Sequence, residues 1–285
     1  MAERWRQVLN NPFAPIKGTV VDIKQETKTD NNDIKTLKVI LEDEDFNYKP
    51  GQFAEVSVFG VGEAPFCLAS SPTQRGYVEF SIKRAGSVTQ AIHSLKEGDT
   101  IGVRGPFGNY FPVEAMEDKK LLFVAGGIGL APLRSLINYV TDESHRSRFG
   151  HIMIFSAARS TADMTFTWEY DRWKQIRDLD VKFTIDRPET GWDGMVGFPH
   201  VLLPDMGISS DNTVAVTCGP PIMIKSVSKA LMDMGFAPDS IITTLEMRMT
   251  CGLGKCGRCN IGHRYVCVDG PVFTMTQLNE MPDEY

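Results

Sequence analysis

The 285-residue sequence predicts a β + α/β architecture: an antiparallel β-barrel, then a doubly wound parallel-sheet domain, then a small cysteine-rich module at the C-terminus. Three observations predict it. Short alternating apolar runs separated by turn residues fill the first third. Apolar strands alternate with helical stretches through the middle. Four of the six cysteines then crowd together as Cys251-x4-Cys256-x2-Cys259-x7-Cys267. The expected organisation is an N-terminal arm over 1–16, the barrel over 17–112, the α/β domain over 113–245 and the cysteine module over 246–285.

The arm contains a helical-looking stretch, Trp5 to Leu9, and the barrel strands follow at Thr19 to Ile23, Thr36 to Leu41, Phe53 to Val58, Tyr77 to Ile82 and Thr100 to Val103. Strands this short, punctuated by Lys49-Pro50-Gly51 and Glu97-Gly98-Asp99, suit a closed antiparallel sheet. Leu121 to Val124 is apolar throughout, as a strand covered on both faces should be. Further strands are expected near His151 to Phe155, Val181 to Ile185 and Val214 to Thr217. Strands alternating with helices imply a parallel sheet. Trp168, Tyr170 and Trp173 suit an amphipathic helix between two of them, as core or edge packing.

The first parallel strand runs into Ala125-Gly126-Gly127-Ile128-Gly129-Leu130-Ala131-Pro132, where glycines admit a close ligand and Pro132 suits a first helical turn. By position this is a phosphate cradle, with free amides and the positive end of a helix dipole facing the ligand. The run departs from a strict GxGxxG, so a purely structural turn remains the alternative. A second turn, Thr217-Cys218-Gly219-Pro220-Pro221-Ile222-Met223, follows the last apolar strand and belongs on the same carboxyl edge, where such sheets bind ligands. Cys218 would approach a nicotinamide there, or serve as a small buried thiol.

Composition narrows the function. The 42% apolar content is that of packed globular cores, and no apolar run reaches the roughly 18 residues a membrane span needs. A net charge of −6 argues against nucleic-acid binding, and the acidic run Glu42 to Asp45 reads as a solvated loop. The expectation is a cytoplasmic protein with no membrane insertion. His93, His145, His151, His200 and His263 are scattered without ligand spacing and are expected at surfaces or turns.

The x4-then-x2 opening of the cysteine run is the spacing with which plant-type ferredoxins hold a [2Fe–2S] cluster. Gly252, Gly254 and Gly257 allow a tight loop that points amides at sulfur. Structural zinc is the alternative, although zinc favours two separated C-x2-C pairs. With no apolar signal segment and two isolated remaining cysteines, a disulfide framework fits least well.

The segments GEAPFCLASSP, GSVTQAIH, VRGPFGNYFP, VAGGIGLAPLRS, TCGPPIMI and LEMRMTCGLGKCGRC, in this order and spacing, resemble the ferredoxin–NADP reductase superfamily with a C-terminal [2Fe–2S] extension. Within it the chain is similar to gamma subunits of cytosolic nickel–iron hydrogenases (sulfhydrogenases). Other similar proteins are the dihydroorotate dehydrogenase electron-transfer subunit, the flavin subunit of anaerobic sulfite reductase and the small subunit of bifurcating ferredoxin–NADP transhydrogenases. The resemblance implies a flavin on the barrel, FAD with FMN as the alternative, and hydride exchange with NAD(H) or NADP(H) on the parallel sheet. Single electrons would then leave through a cluster on Cys251, Cys256, Cys259 and Cys267. No side chain need act as nucleophile or general acid.

By the same resemblance Phe66, Cys67, Leu68 and Ser70 line the flavin, and Gly86, Ser87, Val88 and Thr89 present amides to its phosphates. Gly126, Gly127, Gly129, Pro132, Cys218, Gly219, Pro220 and Met223 hold the nicotinamide nucleotide. Much of the superfamily has an arginine two residues before the flavin-motif aromatic, where this chain has Ala64, and Lys83 or Arg84 would supply the missing counter-charge. Arg159, with Ser160, would meet a 2′-phosphate; no acidic ribose partner stands at that strand end, the similar complexes include users of each cofactor, and the expectation leans slightly to NAD(H). Other redox subunits of a hydrogenase, a heterodisulfide-reductase-like or a sulfur-reducing assembly are the expected partners through the C-terminal cluster face. The alternatives are a free-standing reductase of ferredoxin and a zinc-stabilised docking subunit without redox chemistry.

Overall fold

The computed structural model describes residues 11–282, so the stretch Trp5 to Leu9 lies outside the described residues. Six antiparallel strands form the first sheet: β1 (Ile16–Thr29), β2 (Asn32–Leu41), β3 (Phe53–Val58), β4 (Gly62–Cys67), β5 (Val78–Lys83) and, after helix α1 (Ser87–His93), β6 (Thr100–Phe107). Their spatial order is β4-β3-β6-β1-β2-β5. Beyond the end of β4 the Ala69 N–H donates to the Glu79 carbonyl on β5 (2.8 Å), drawing the two sheet edges together. Alternation along the strands explains the barrel core: Val78, Phe80 and Ile82 of β5 point inward to meet Val20, Val39, Val56 and Val103.

The expected barrel strands all form. β4 was not expected as a strand, because Pro65 and its glycine start weaken the local signal; pairing with β3 along the whole of Gly62–Cys67 overrides that. His93 also departs from expectation. It is buried at the end of α1, its Nε2 2.8 Å from the Ile82 carbonyl, with burial lowering its affinity for a proton.

The second sheet contains β7 (Lys120–Gly126), β8 (Ile152–Ala158), β9 (Leu179–Ile185), β10 (Met195–Val196), β11 (Thr213–Cys218) and β12 (Ile241–Thr244). Helices α2 (Leu130–Val140), α3 (Tyr170–Lys174), α4 (Pro199–Leu202) and α5 (Pro221–Asp233) connect them. The order is β10-β9-β8-β7-β11-β12, parallel throughout, so the strand sequence reverses between β7 and β11. Trp173 on α3 is fully buried, as core packing requires, whereas Trp168 stays exposed beneath the Lys24 ammonium.

Past β12 come a small hairpin, β13 (Asn260–Ile261) and β14 (Arg264–Tyr265), then α6 (Val266–Asp269), β15 (Val272–Thr274) and α7 (Met275–Asn279). β15 joins the edge of the second sheet antiparallel to β12, and its central residue Phe273 packs with Cys259, Cys267 and Phe53 of the barrel. Among the described residues no helix is long and apolar enough to cross a membrane.

A buried ion network joins the first two sheets. Arg134 of α2, 2% exposed, donates to Glu79 of β5 (2.7 Å), to the Ala69 carbonyl (3.0 Å) and to Glu169. Glu169 also receives Arg172 and the Asn138 amide. Its two acidic partners and nearby carbonyls satisfy a guanidinium that would otherwise be costly to bury.

Candidate functional site

The switch point between β7 and β11 opens into a cleft of about 590 Å³ at the carboxyl edge of the parallel sheet. The location follows from the strand order, because the connections leaving two adjacent strands in opposite directions leave a crevice between them. Gly126, Gly127 and Gly129 line one side, and Gly219, Pro220 and Met223 the other. Register pairs Ala125 with Cys218, so the two turns lie side by side.

Close packing explains the glycines. A Cβ on Gly129 would lie 2.4 Å from the Cys218 carbonyl oxygen, so the start of α2 can approach the end of β11 only without a side chain. Gly127, in the left-handed region at φ +55, has open space above it. The cradle therefore exposes backbone where a pyrophosphate would sit near the N-terminus of α2. Pro132 lies in the first turn of that helix without lining the cleft.

The cleft gathers charge from four directions. Lys83 and Asn32 reach it from the barrel edge, Arg159 from the end of β8, Asp186 from the end of β9 and Glu246 from beyond β12. Burial raises the carboxyl of Asp186 against the pull of Arg159 and Arg187, and desolvation raises Glu246 within the open cleft. Asp186 supplies an acidic group that reading the end of β8 did not reveal. Its signal was available, since it directly follows the third parallel strand.

Of the other expected flavin residues, Arg84 turns away to pair with Asp33 (3.1 Å). Lys83 is thus the cation of this pair that faces the cleft. Gly86, Ser87, Val88 and Thr89 form the start of α1 on the barrel surface, where the Ala85 and Gly86 N–H groups both donate to Thr89 Oγ1 at 2.8 Å. Leu68 is buried in the barrel core with Phe66 packed against it. Ser70 is fully buried, its hydroxyl engaged with Tyr48 (2.8 Å) and accepting the Glu79 N–H (2.9 Å).

Cys67 and Cys218 bring two thiols to the junction of barrel and parallel sheet. Burial pushes the Cys67 thiol up strongly and the Cys218 thiol up to about 12, with Glu246 adding to both. Cys218 Sγ lies 2.9 Å from Thr244 Oγ1. Both are therefore protonated, neutral groups at this junction rather than nucleophiles.

The four C-terminal cysteines form a second constellation. Gly252, Gly254 and Gly257 all take left-handed φ values near +70, folding the loop so that amides turn inward. Leu253, Lys255 and Cys256 N–H groups donate to Cys251 Sγ at 3.4, 3.3 and 3.4 Å, and Gly254 N–H to Cys267 Sγ at 3.1 Å. Burial opposes ionisation of Cys251, yet these amides bring its thiol down to about 7. Cys267 goes the other way, to about 12, through burial and the nearness of Cys259.

Cys251, Cys256, Cys259 and Cys267 belong to one folded segment, in which backbone amides reach the sulfurs of Cys251 and Cys267. Among the described residues no three His, Cys, Asp or Glu side chains gather around a single-ion position. Four thiols in one segment, with amides already donating to two of the sulfurs, suit a two-iron cluster that needs two thiolates per iron.

Comparison with known proteins agrees with this layout. Residues 21–111 match the oxidoreductase FAD-binding domain, 123–229 the oxidoreductase NAD-binding domain, and 246–279 the iron–sulfur cluster binding domain of dihydroorotate dehydrogenase B. The gamma subunit of sulfhydrogenase 1 from Pyrococcus furiosus is 39% identical, covering 96% of this chain and 95% of its own length. A probable dihydroorotate dehydrogenase B electron transfer subunit from Methanocaldococcus jannaschii is 36% identical over 84% of each chain. In fold, the chain is similar to a solved NADH-dependent reduced ferredoxin–NADP oxidoreductase (TM-score 0.75, 23% identity, 93% of this chain and 89% of that one).

Proposed function

Because the chain belongs to the family of FAD-, NAD- and iron–sulfur-binding electron-transfer subunits that includes the sulfhydrogenase gamma and dihydroorotate dehydrogenase B subunits, we propose that it exchanges electrons between a nicotinamide nucleotide and a partner redox subunit. The observation that carries this reading is the four-cysteine segment, with amides donating to the sulfurs of Cys251 and Cys267, on the same body as a glycine-walled cleft. When bound, a flavin supplies the conversion between hydride transfer and single-electron steps that the two ends require.

The chain's own groups then bind and orient. Gly126, Gly127 and Gly129, with Pro132 shaping the first turn of α2, present amides to the nucleotide pyrophosphate. Gly219, Pro220 and Met223 flank the nicotinamide from the β11 side, and the neutral Cys218 thiol packs beneath it without carrying charge. Phe66, Cys67, Leu68 and Ser70 form the barrel wall on which the flavin rests. Lys83 serves as the counter-charge for its phosphates, beside the turn of Gly86, Ser87, Val88 and Thr89, while Arg84 holds β2 through Asp33. Arg159 and Asp186 face the adenosine ribose, where the carboxylate suits a free 2′-hydroxyl and so favours NAD(H). Cys251, Cys256, Cys259 and Cys267 hold the cluster.

Cys256 is the exposed cysteine of the four, so the partner subunit would cover this face. Lys255 and Arg258, which flank it in the chain, are both exposed, two basic residues beside it on a chain of net charge −6. A redox partner with an acidic surface fits there.

The test is an anaerobic titration of the full chain with NADH and, separately, with NADPH, followed by visible absorption and low-temperature electron paramagnetic resonance. Bleaching of flavin together with a [2Fe–2S] signal is expected, with NADH effective at lower concentration. A colourless protein holding stoichiometric zinc would overturn the proposal.

A further inference from the structure

The segment Val103 to Pro112 carries no role in the site described so far, yet it grips the cysteine loop at both ends. Arg104, on β6 and only 4% exposed, makes a two-pronged ion pair with Glu63 of β4 through Nε (3.0 Å) and Nη2 (2.7 Å). Its remaining nitrogen, Nη1, donates to the Pro12 carbonyl (2.9 Å) and to the carbonyl of Cys251 (3.3 Å). Phe107, three residues on, packs so closely on the loop that a Cβ on Gly252 would lie 2.7 Å from its ring. Asn109 holds the other end. Its side-chain amide donates to the carbonyls of Asp269 (2.8 Å) and Val272 (2.7 Å), and its Oδ1 accepts the Val272 N–H (2.9 Å), just beyond Cys267.

A nearly dry guanidinium used this way is unusual, because a single exposed carboxylate would suffice for a surface pair. Arg104 instead spans from the flavin-side strand β4 to the backbone of the first cysteine. Its cross-strand neighbour Glu55 is wholly buried, with neither carboxyl oxygen hydrogen-bonded among the described residues, so the guanidinium is the nearby cation at this face. A fixed cation one carbonyl away from a cluster ligand, its own side chain buried although Glu63 and Cys251 are partly exposed, acts on the cluster's charge with less screening than a fully solvated one.

We infer that Arg104 is a positioning residue for the iron–sulfur site, seating Cys251 on the barrel and favouring the reduced cluster through its fixed positive charge, with Glu63 opposing that field. This rests on Cys251 being a cluster ligand, as proposed above. The chemistry requires the two charges to act with opposite signs. Adding an electron is favoured by the cation and disfavoured by the anion, whereas mere loosening of the loop would move both variants the same way.

The test is a dye-mediated redox titration of the cluster in the full chain loaded with flavin and cluster, read by electron paramagnetic resonance. In Arg104→Met the reduced-to-oxidised ratio at a fixed potential should fall about tenfold, equivalent to about 59 mV for a one-electron couple. Arg104→Lys should recover most of that shift, and Glu63→Gln should move the ratio in the opposite direction. Equal midpoints in the parent and Glu63→Gln, or shifts of the same sign in Glu63→Gln and Arg104→Met, would overturn the inference. If Arg104→Met does not retain its cluster, Glu63→Gln decides alone. A parent chain without any iron signal would instead count against the cluster assignment itself.

Discussion

Glu55 shows how a single residue's environment can differ from what its position in a strand suggests. In the alternating run Phe53 to Val58 it takes the outward, polar place, and local pattern alone marks it as solvated. The fold covers that face, leaving the carboxylate fully buried and without a hydrogen-bond partner among the described residues. Burial first, and then the charge of Glu63, raise its carboxyl from 4.5 to about 7 in spite of Arg104. The folded protein then holds a proton that the unfolded chain has released, so stability falls as pH rises from about 4.5 to about 7 and the whole penalty is present above that. A shift of this size corresponds to at most about 3 kcal/mol. Glu55→Gln should therefore raise the melting temperature clearly at pH 8 and little at pH 5, measured on the same preparation. An equal effect at both values would remove Glu55 as the titrating group.

At the scale of elements, α2 does two jobs that its sequence only half discloses. The glycine turn and Pro132 mark its N-terminus and its role beside the cleft, because those signals lie within a few residues of one another. Arg134, in the same helix, looks like a solvated cation in an amphipathic pattern. Its partners are 55 and 35 residues away, Glu79 in the barrel and Glu169 before α3, and only the packing of α2 between them buries all three. Replacing Arg134 by Met keeps the volume but leaves the buried carboxylate of Glu79 without its cation and Glu169 with Arg172 alone. The expected loss is about 3–5 kcal/mol in chemical denaturation. Adding Glu79→Gln to Arg134→Met should recover part of it, since the uncompensated charge of Glu79 rather than the missing contact carries most of the cost.

For the whole molecule, the arrangement separates a two-electron end from a one-electron end. The cleft draws on both the barrel and the parallel sheet, while the cysteine loop is held by β6, by the turn after it and by the sheet edge at β15. The C-terminal segment thus shares its core with the barrel through Phe53. The exposed cysteine and its basic surroundings give the molecule a polarity that its net charge conceals. Electron delivery from NADH-reduced protein to an acidic ferredoxin, used as the probe, should slow markedly between about 0.05 and 0.5 M salt. The double charge reversal Lys255→Glu with Arg258→Glu should slow it at low salt while leaving flavin reduction by NADH unchanged. Insensitivity to both would move the docking face away from Cys256.

The sequence by itself determined the class of each domain, the expected strands of both sheets, the two glycine turns and the cysteine spacing. Each of these depends on residues close together in the chain, through strand alternation, turn chemistry or ligand spacing. Tertiary structure alone decided that β7 and β11 are neighbours, so that two turns some ninety residues apart become the walls of one cleft. It also decided that Lys83 rather than Arg84 faces that cleft, that Asp186 joins it, and that Arg104 reaches a cysteine 147 residues away. Strand order and burial set these outcomes. Both arise from packing among distant segments, which a local pattern of residues does not encode.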